Sequence, residues 1–205
     1  MRNDSALGII FRVPEYGRVK KRLAQEIGPE DALKAYSAML HETLENVSRL
    51  TVINIYGFYD GSLSPQNKLL NKLPCIPQIG KDLGERMLNA INWLFDKGFK
   101  RVVLIGADSP DLPVRFIEDA FLILNNYELV IGPAEDGGYY LIGMSKPLDA
   151  IFQDISWGSR DVLEKTISTA EKEGIKHLLL PEWYDIDDIE GLRQWKSKQN
   201  KCLNE

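Results

Sequence analysis

The chain has 205 residues, with 25 Lys and Arg against 30 Asp and Glu, so its formal net charge is −5. This acidic balance argues against non-specific nucleic-acid binding, and the apolar runs are far shorter than the roughly 18 residues that a membrane span needs. The two cysteines have no CxxC or Cys/His spacing, which predicts neither a disulfide framework nor a zinc site. The N-terminus has no signal-peptide pattern, so we expect a cytoplasmic protein with one domain over residues 1–205, whose oligomeric state the sequence does not determine.

Strand-like and helix-like segments alternate along the chain, which indicates a layered α/β fold. In chain order, the predicted elements are strand 7–11, helix 29–47, strand 51–56, loop 60–65, a short helix 64–71, edge strand 75–79, helix 83–97, strand 101–107, helix 113–125, strands 128–132 and 139–144, helix 159–172, strand 177–180 and helix 188–198. We expect a three-layer α/β/α sandwich with a mostly parallel, mixed sheet, in which the segment 139–144 runs antiparallel. In such a fold, ligands bind beyond the carboxyl ends of the strands.

Four cations occupy the five positions from Arg18 to Arg22, directly after the first strand of an otherwise acidic chain. Gly17 permits a tight turn there, and Lys and Arg side chains donate hydrogen bonds to phosphate oxygens. We therefore expect a nucleotide's phosphates at this loop, with Lys20 and Arg22 as the strongest candidates. The alternative is a solvated basic turn at a helix start. GxxxxGK[ST], GxGxxG and GxSxG motifs are absent, which argues against P-loop enzymes, dinucleotide oxidoreductases and acyl-enzyme hydrolases.

Two carboxylates, Asp108 and Asp111, follow the most hydrophobic strand. Oxygen ligands of this kind suit Mg²⁺ or Mn²⁺, which usually share them with substrate phosphates. For Asp111, capping of the helix that opens near Pro113 is an alternative to metal binding.

A turn-like segment separates the strands 128–132 and 139–144, and an Asp-Gly pair there is a strong hairpin signal. Its two carboxylates and two glycines also suit close contact with a substrate. The candidate substrate-binding residues are Glu135, Asp136, Gly137 and Gly138, and the sequence does not decide which carboxylate matters more.

Near the C-terminus, Asp185 and Asp187 point to the same side if their segment is extended, since side chains alternate along a strand. The pair could complete a metal site. Capping of the last helix, with Glu190, is an equally good interpretation of Asp187. Trp157 is a candidate for lining the substrate pocket, with a core role as its alternative.

Several strings spread in order over nearly the whole chain resemble one known family: FRVPEYGRVKKRLAQEIG, QIGKDLGERM, GADSPDL, GPAEDGGYYLIG, ISWGSRDVL and YDIDDIEGL. The chain looks like the bacterial family named transferase 1 associated with radical-SAM/selenodomain proteins. This resemblance implies a glycosyltransferase-A-like fold of the nucleotide-diphospho-sugar transferase superfamily. It also implies phosphates at the 17–22 loop, a metal at Asp108, and a second carboxylate ligand from Asp185 or Asp187. Arg12, where a lysine is common, joins the expected nucleotide-binding residues.

These features together predict a metal-dependent transferase of an activated nucleotide, with Mg²⁺ or Mn²⁺ as cofactor. In the leading hypothesis the protein transfers a glycosyl group from a nucleotide sugar to a small acceptor. Lys20 and Arg22 then stabilise charge on the leaving phosphates, and Asp136 orients or deprotonates the acceptor. The alternatives are nucleotidyl transfer from a nucleoside triphosphate to a small phosphorylated acceptor, as in relatives that guanylylate phospholactate, and nucleotide binding without catalysis.

Overall fold

The computed structural model describes residues 4–50, 54–63 and 73–202. Its strands are β1 (Ser5–Arg12), β2 (Asn54–Asp60), β3 (Cys75–Pro77), β4 (Arg101–Gly106), β5 (Leu129–Pro133), β6 (Tyr139–Met144) and β7 (His177–Leu179). Its helices are α1 (Lys21–Ile27), α2 (Pro29–Ser48), α3 (Leu83–Asp96), α4 (Val114–Ile123), α5 (Val162–Lys172) and α6 (Ile189–Cys202), with a 3₁₀ turn over Asp149–Phe152. None of these helices combines the length and the apolar character needed to cross a membrane.

The seven strands form one sheet in the order β3-β2-β1-β4-β6-β5-β7. Neighbouring strands are parallel except for β6, which is antiparallel to both β4 and β5. One apolar cluster packs α2 and α4 against one face of the sheet, and a second packs α3 and the end of α5 against the other. The predicted α/β fold, with its mostly parallel mixed sheet and its antiparallel segment 139–144, is confirmed.

The central strand β4 is buried on both faces, as its uninterrupted apolar run predicts. Val103 and Ile105 join the cluster beneath α2 and α4, whereas Val102 and Leu104 join the cluster beneath α3. This alternation follows from the pleat, which sends successive side chains to opposite faces. The strand ends at Gly106, so the polar residues that follow it are carried to the edge of the sheet.

Most predicted elements are confirmed, with ends that differ by a few residues. The strand predicted over 51–56 is observed over Asn54–Asp60, and residues 51–53 lie outside the described residues. The helix predicted over 64–71 lies outside them as well. The edge position expected for the proline-flanked strand is confirmed in β3, at one end of the sheet. The sequence reasoning missed α1, which follows directly after Lys20.

The predicted helix caps were correct at α3 and one residue off at α6. The Asp82 carboxylate accepts a hydrogen bond from the Glu85 N–H at 2.9 Å, as the capping pattern indicates. At α6 the cap is Asp188, which accepts hydrogen bonds from the N–H groups of Glu190 and Gly191. The capping interpretation of Asp187 is therefore wrong, and its carboxylate is available for another contact.

Candidate active site

A cavity of about 720 Å³ opens at the carboxyl ends of β1 and β4, beside the amino end of β6. This is the edge of the sheet where the fold predicts ligands, and the volume is typical of a small-molecule site. The predicted site residues that line it are Arg12, Lys20, Arg22, Asp108, Asp136, Gly138, Trp157, Asp185 and Asp187. Four other predicted residues lie outside the lining: Gly17, Asp111, Glu135 and Gly137.

Lys20 is the centre of the charged part of this cavity. Its Nζ lies 2.7 Å from Asp108 Oδ1 and 2.7 Å from Asp187 Oδ1, and only 5% of its side chain is exposed. Burial lowers the pKa of Lys20, but the two carboxylates raise it more, so the net pKa lies above the usual value. We call Lys20, Asp108 and Asp187 the cavity cluster.

The backbone at Lys20 is unusual for a residue with a side chain. It has φ 44° and ψ 55°, in the left-handed region, and it lies just before the first residue of α1. A non-glycine residue there costs of the order of 1 kcal/mol, so other contacts must offset that cost. The two ion pairs of the buried ammonium are contacts of this kind. The alternative of a fully solvated basic turn is therefore wrong for Lys20, although Arg18, Lys21 and Arg22 are exposed.

The segment before α6 places its two aspartates on the cavity side. The Ile186 N–H donates to the Asp108 carbonyl oxygen at 2.9 Å, and the Ile186 side chain is fully buried in the opposite direction. Asp185 and Asp187 thus face the cavity together, which the alternation of side chains predicted. The Asp185 carboxylate accepts a hydrogen bond from Ser109 Oγ at 2.5 Å. Burial raises the pKa of Asp185 to about 7, even though the Ser109 hydroxyl lowers it.

Asp111 has a different environment, outside the cavity. Its Oδ2 accepts hydrogen bonds from Tyr184 Oη at 2.6 Å and from Lys198 Nζ at 3.0 Å. The Lys198 ammonium also lies 4.2 Å from the centroid of the Tyr184 ring and 4.6 Å from that of the Trp183 ring. We call Asp111, Tyr184 and Lys198 the outer cluster. The capping interpretation of Asp111 is wrong, since α4 has no side-chain cap, and metal binding by Asp111 stays a prediction.

At the end of β1 the backbone is held by a tyrosine that the sequence reasoning missed. Tyr36 Oη accepts a hydrogen bond from the Arg12 N–H at 2.9 Å and lies 3.1 Å from the Arg12 carbonyl oxygen. Burial raises the pKa of Tyr36 well above its ordinary value, so the phenol stays protonated. The periodic apolar face of α2 contains Tyr36, but no local pattern shows that its hydroxyl reaches Arg12.

Two arginines share one carboxylate beside the cavity. Arg86 Nη1 lies 2.9 Å from Asp60 Oδ2, and Arg12 Nε lies 3.8 Å from the same oxygen. Arg86 also donates to the Gly80 carbonyl oxygen from Nε. Both guanidinium groups line the cavity, and Arg86, within the quoted string QIGKDLGERM, was not among the predicted site residues.

The turn between β5 and β6 contributes Asp136 and Gly138 to the cavity. The Asp136 Oδ1 accepts a hydrogen bond from the Gly138 N–H at 2.9 Å, so the carboxylate is tied to its own turn. Gly137 has φ 89° and lies against the Arg160 backbone, with no room for a Cβ. Its carbonyl oxygen accepts from the Leu163 N–H. The geometry thus assigns Gly137 a packing role against the start of α5.

Trp157 forms a wall of the cavity. Its ring stacks on Phe152, with centroids 6.1 Å apart, and meets the edge of Tyr139 at 6.3 Å. A Cβ on Gly84 would lie 2.1 Å from Trp157 Nε1, so only glycine at that position of α3 leaves space for the indole. The indole is therefore fixed by packing in a place where it also contacts the cavity.

The carboxylates at this edge of the sheet have the arrangement that a divalent cation needs, but they are too few to hold it alone. Asp108 and Asp187 both direct a carboxylate oxygen at the Lys20 ammonium, so the pair is already arranged around a cation. Mg²⁺ sites often use one or two carboxylates together with substrate phosphates. Within the described ranges, no group of three or more His, Cys, Asp or Glu side chains has an arrangement that could hold a metal ion. The pair therefore fits a metal that enters with phosphate ligands.

A family profile described as "Uncharacterized protein conserved in bacteria (DUF2064)" matches residues 43–159. The chain belongs to this family. A crystal structure of a Desulfovibrio desulfuricans G20 protein, provisionally assigned as a nucleotide-diphospho-sugar transferase, is 35% identical to this DUF2064 chain, with a TM-score of 0.81. The match covers 90% of this chain and 83% of that one.

Two further proteins resemble the DUF2064 chain more distantly. The 2-phospho-L-lactate guanylyltransferase of Methanocaldococcus jannaschii is 25% identical over 181 residues, which are 88% of this chain and 77% of that protein. The 4-diphosphocytidyl-2C-methyl-D-erythritol synthase of Anaerococcus prevotii has a TM-score of 0.61 at 12% identity, covering 97% and 98% of the two chains. The last likeness shows the fold alone. Together the comparisons confirm the nucleotide-diphospho-sugar transferase fold and indicate a transferase of nucleotidyl or glycosyl groups.

Proposed function

We propose that this chain is a metal-dependent nucleotidyltransferase, which moves a nucleoside monophosphate from a nucleoside triphosphate to a small anionic acceptor. The cavity cluster carries this proposal, because it joins a lysine of the loop after β1 to two carboxylates at the edge of the sheet. The activity named for the relative of Methanocaldococcus jannaschii, guanylyl transfer, supports the same reaction class. Relatives can differ in substrate on one fold, so the argument depends on the residues of the site.

The basic side chains of the cavity, which lie beside five aspartates in its lining, suit a polyphosphate. Six basic side chains contribute to it: Arg12, Lys20, Lys21, Arg22, Lys81 and Arg86. Basic groups in a cleft of low dielectric attract and orient phosphate oxygens more strongly than they would in water. In this proposal Lys20 and Arg22 stabilise the charge that develops on the leaving phosphates, while Arg12 contacts the nucleotide at the end of β1.

Asp108 and Asp187 would hold the divalent cation, since both already converge on one positive charge. When bound, Mg²⁺ or Mn²⁺ would neutralise phosphate charge and polarise the phosphoryl oxygens. Asp185 is a weaker candidate ligand than Asp187, because its carboxylate is buried and bonded to Ser109. Asp111 is a weaker candidate still, because its Oδ2 is already bonded to Tyr184 and Lys198 outside the cavity.

In the proposed reaction, an acceptor oxygen forms a bond to the α-phosphorus, the bond from that phosphorus to the bridging oxygen breaks, and pyrophosphate leaves. A phosphate oxygen of the acceptor is ionised at neutral pH and needs no general base. Asp136, at the mouth beside Tyr139, would then orient the acceptor and not deprotonate it. Trp157 would supply a rigid wall for the acceptor's body.

Glycosyl transfer is the second candidate, favoured by the 35% identity to the Desulfovibrio protein. The resemblance to the transferase 1 family associated with radical-SAM/selenodomain proteins supports the same candidate. In that reaction the bond from C1 of the sugar to the phosphate oxygen breaks, and a nucleoside diphosphate leaves. An acceptor hydroxyl would have to lose a proton, so Asp136 would act as a general base.

A thermal-shift panel tests the donor site. Purified protein is heated with nucleoside triphosphates or nucleotide sugars, each with Mn²⁺, Mg²⁺ or EDTA. A ligand at about 100 times its dissociation constant adds about 2.7 kcal/mol of stability. We expect a metal-dependent shift with one class of nucleotide, which Asp108→Asn abolishes. The matched control is Asp119→Asn, which removes the same charge from an exposed position of α4.

Product analysis then separates the two reactions. Release of pyrophosphate with an accepted triphosphate supports nucleotidyl transfer, whereas release of a nucleoside diphosphate from a nucleotide sugar supports glycosyl transfer. No metal-dependent shift with either class of nucleotide would contradict the proposed donor site itself.

A further inference from the structure

The cavity cluster contains a cation of the protein's own at the point where its two carboxylates converge. Lys20 Nζ is within hydrogen-bonding distance of one oxygen from each carboxylate. The ammonium is almost fully buried, whereas the side chains of Asp108 and Asp187 are 49% and 47% exposed. Both carboxylates are thus accessible from the cavity, while the Oδ1 atom of each already contacts the Lys20 ammonium.

A divalent cation that bridges the two carboxylates where they converge would need the same two oxygens, Asp108 Oδ1 and Asp187 Oδ1. Mg²⁺ binds carboxylate oxygens at about 2.0–2.1 Å, and two positive charges a few ångströms apart repel each other strongly inside a protein. The Lys20 ammonium and the metal therefore exclude each other from this bridging position, and the ammonium must leave it before a metal can bind both carboxylates there.

We infer that Lys20 is an internal competitor of the divalent cation, which keeps the Asp108–Asp187 pair closed to free metal. In this inference a nucleotide's phosphates draw the ammonium away and bring the metal with them, so the metal binds well only together with its nucleotide. The part that concerns the nucleotide rests on the proposed function. The competition between lysine and metal does not, because it involves only groups of this chain and the ion.

The local structure allows Lys20 to move without unfolding α1. The Ala24 N–H donates to the Lys20 carbonyl oxygen at 2.8 Å, and Leu23, three residues along, is fully buried. The backbone is therefore fixed, and a rotation of the lysine's four-carbon side chain is enough to take the ammonium from the carboxylates. Lys20 also interacts electrostatically with Asp185, whose carboxylate is influenced in turn by Asp108 and Asp136.

Binding of Mn²⁺ alone, measured from the electron paramagnetic resonance signal of the free ion, tests the competition. The variant Lys20→Met keeps the length of the side chain and removes its charge. We expect it to bind one Mn²⁺ at least about tenfold more tightly than the natural sequence does without any nucleotide. The matched control is Lys21→Met, which removes the same charge from the exposed neighbouring residue at the start of α1. We expect Lys21→Met to change the Mn²⁺ affinity by less than about threefold, because it removes only a long-range electrostatic repulsion that the solvent screens.

The double variant Lys20→Met/Asp108→Asn locates the effect. We expect it to lose the Mn²⁺ affinity that Lys20→Met gains, because one of the two carboxylates is then neutral. Three results overturn the inference. The first is an equal Mn²⁺ affinity of Lys20→Met and Lys21→Met, and the second is no Mn²⁺ binding by Lys20→Met or by the natural sequence. The third is a gain in Mn²⁺ affinity that persists in the double variant.

A second measurement uses the natural sequence, so it does not depend on the folding of a variant. A buried, ion-paired ammonium is protected from amine acylation, and mass spectrometry gives the acylation rate of each lysine. Saturating Mn²⁺ should increase the rate at Lys20 several-fold relative to Lys34, which is exposed on α2. An unchanged ratio at Mn²⁺ concentrations that bind the protein overturns the inference.

The outcomes separate this inference from the proposed function. If Lys20→Met gains Mn²⁺ affinity but the natural sequence has no transferase activity, the competition between Lys20 and the metal is supported and the proposed role of the nucleotide is wrong. If the natural sequence shows metal-dependent turnover but Lys20→Met gains no Mn²⁺ affinity, the transferase function is supported and the competition is wrong.

Discussion

The cavity cluster and the outer cluster both pair a lysine with an aspartate, and both take residues from the loop after β4 and from the segment before α6. Asp108 and Asp111 are three residues apart after β4, and the segment before α6 supplies Asp187 to one cluster and Tyr184 to the other. Each cluster has one lysine, Lys20 or Lys198, that lies within 3.0 Å of an aspartate oxygen. The environments nevertheless differ. The cavity cluster has a buried lysine and half-exposed carboxylates, whereas the outer cluster has a lysine that is 41% exposed and a carboxylate that is 16% exposed.

This difference in exposure suggests different roles for Asp108 and Asp111. Asp111 is bonded to the Tyr184 hydroxyl and to the Lys198 ammonium, so its charge connects α6 to the loop after β4. Asp108 lines the open cavity, so in the proposed function its charge is available to a ligand once Lys20 moves. The comparison predicts that Asp108 serves the ligand and that Asp111 serves the stability of the fold.

The largest expected effect distinguishes the two aspartates directly. Asp108→Asn and Asp111→Asn make the same chemical change three residues apart. At saturating nucleotide and metal, we expect Asp108→Asn to lose about 2.7 kcal/mol of ligand-induced stability, whereas Asp111→Asn keeps it. Thermal shifts with and without EDTA measure both. Equal losses in the two variants would show that the comparison between the clusters is mistaken.

Asp111→Ala should give the largest loss of intrinsic stability. The change leaves the Tyr184 hydroxyl without its acceptor, and the Lys198 ammonium without its carboxylate. A buried donor left unpaired costs about 1–3 kcal/mol, so we expect a loss of about 2 kcal/mol in urea-induced unfolding. Asp119→Ala, at an exposed position, should stay within about 0.5 kcal/mol of the natural sequence. A loss no larger than this control would remove the structural role from Asp111.

Ser109→Ala should have a smaller effect, because a single hydrogen bond is lost. The buried Ser109 hydroxyl donates to Asp185, which is partly buried. We expect unfolding in urea to become easier by about 1 kcal/mol. Ser48→Ala is the matched control, since that serine bonds only within its own exposed helical turn. If both variants lose the same stability, the Ser109–Asp185 contact contributes nothing.

Lys198→Ala should have the smallest effect of the four. Its ion pair is partly exposed, and such pairs contribute about 0.2–1 kcal/mol, to which the contact with the aromatic rings adds a comparable amount. We expect a loss of about 1 kcal/mol or less, with no change in the metal-dependent nucleotide shift. Lys196→Ala, exposed on the same helix, is the control. A reduced nucleotide shift in Lys198→Ala would connect the outer cluster to the site.

The sheet was predictable because its signals are local. The run at β4 needs no partner to be recognised as a buried strand, and Pro77 marks β3 as an edge by removing a backbone donor. The helix α1 was missed because it has only seven residues and starts from a left-handed lysine. No propensity rule anticipates that conformation, since it depends on contacts that the ammonium makes elsewhere.

The residue types of the site were predictable, but their pairings were not. The loops after β1 and β4 were identified because parallel strands end at one edge of the sheet. That Lys20 meets Asp187, 167 residues away, depends on the course of the whole chain. Asp188 caps α6, so the carboxylate of its neighbour Asp187 is the one that reaches the cavity. Capping propensity does not distinguish two adjacent aspartates, so the sequence does not predict which of them is the cap.

The single reversed strand has a consequence for how this fold can diverge. Because β6 runs against its neighbours, its first residue lies at the same edge as the last residues of β4 and β5. The wall around Asp136 is therefore one hairpin turn, which leaves and re-enters the sheet at adjacent positions. The turn is also bonded to the segment before α6, since the Glu135 N–H donates to the Trp183 carbonyl oxygen at 3.1 Å. An insertion in this turn would therefore change the cavity wall and the backbone leading to Asp185 together, so in evolutionary terms we expect the two segments to vary in concert.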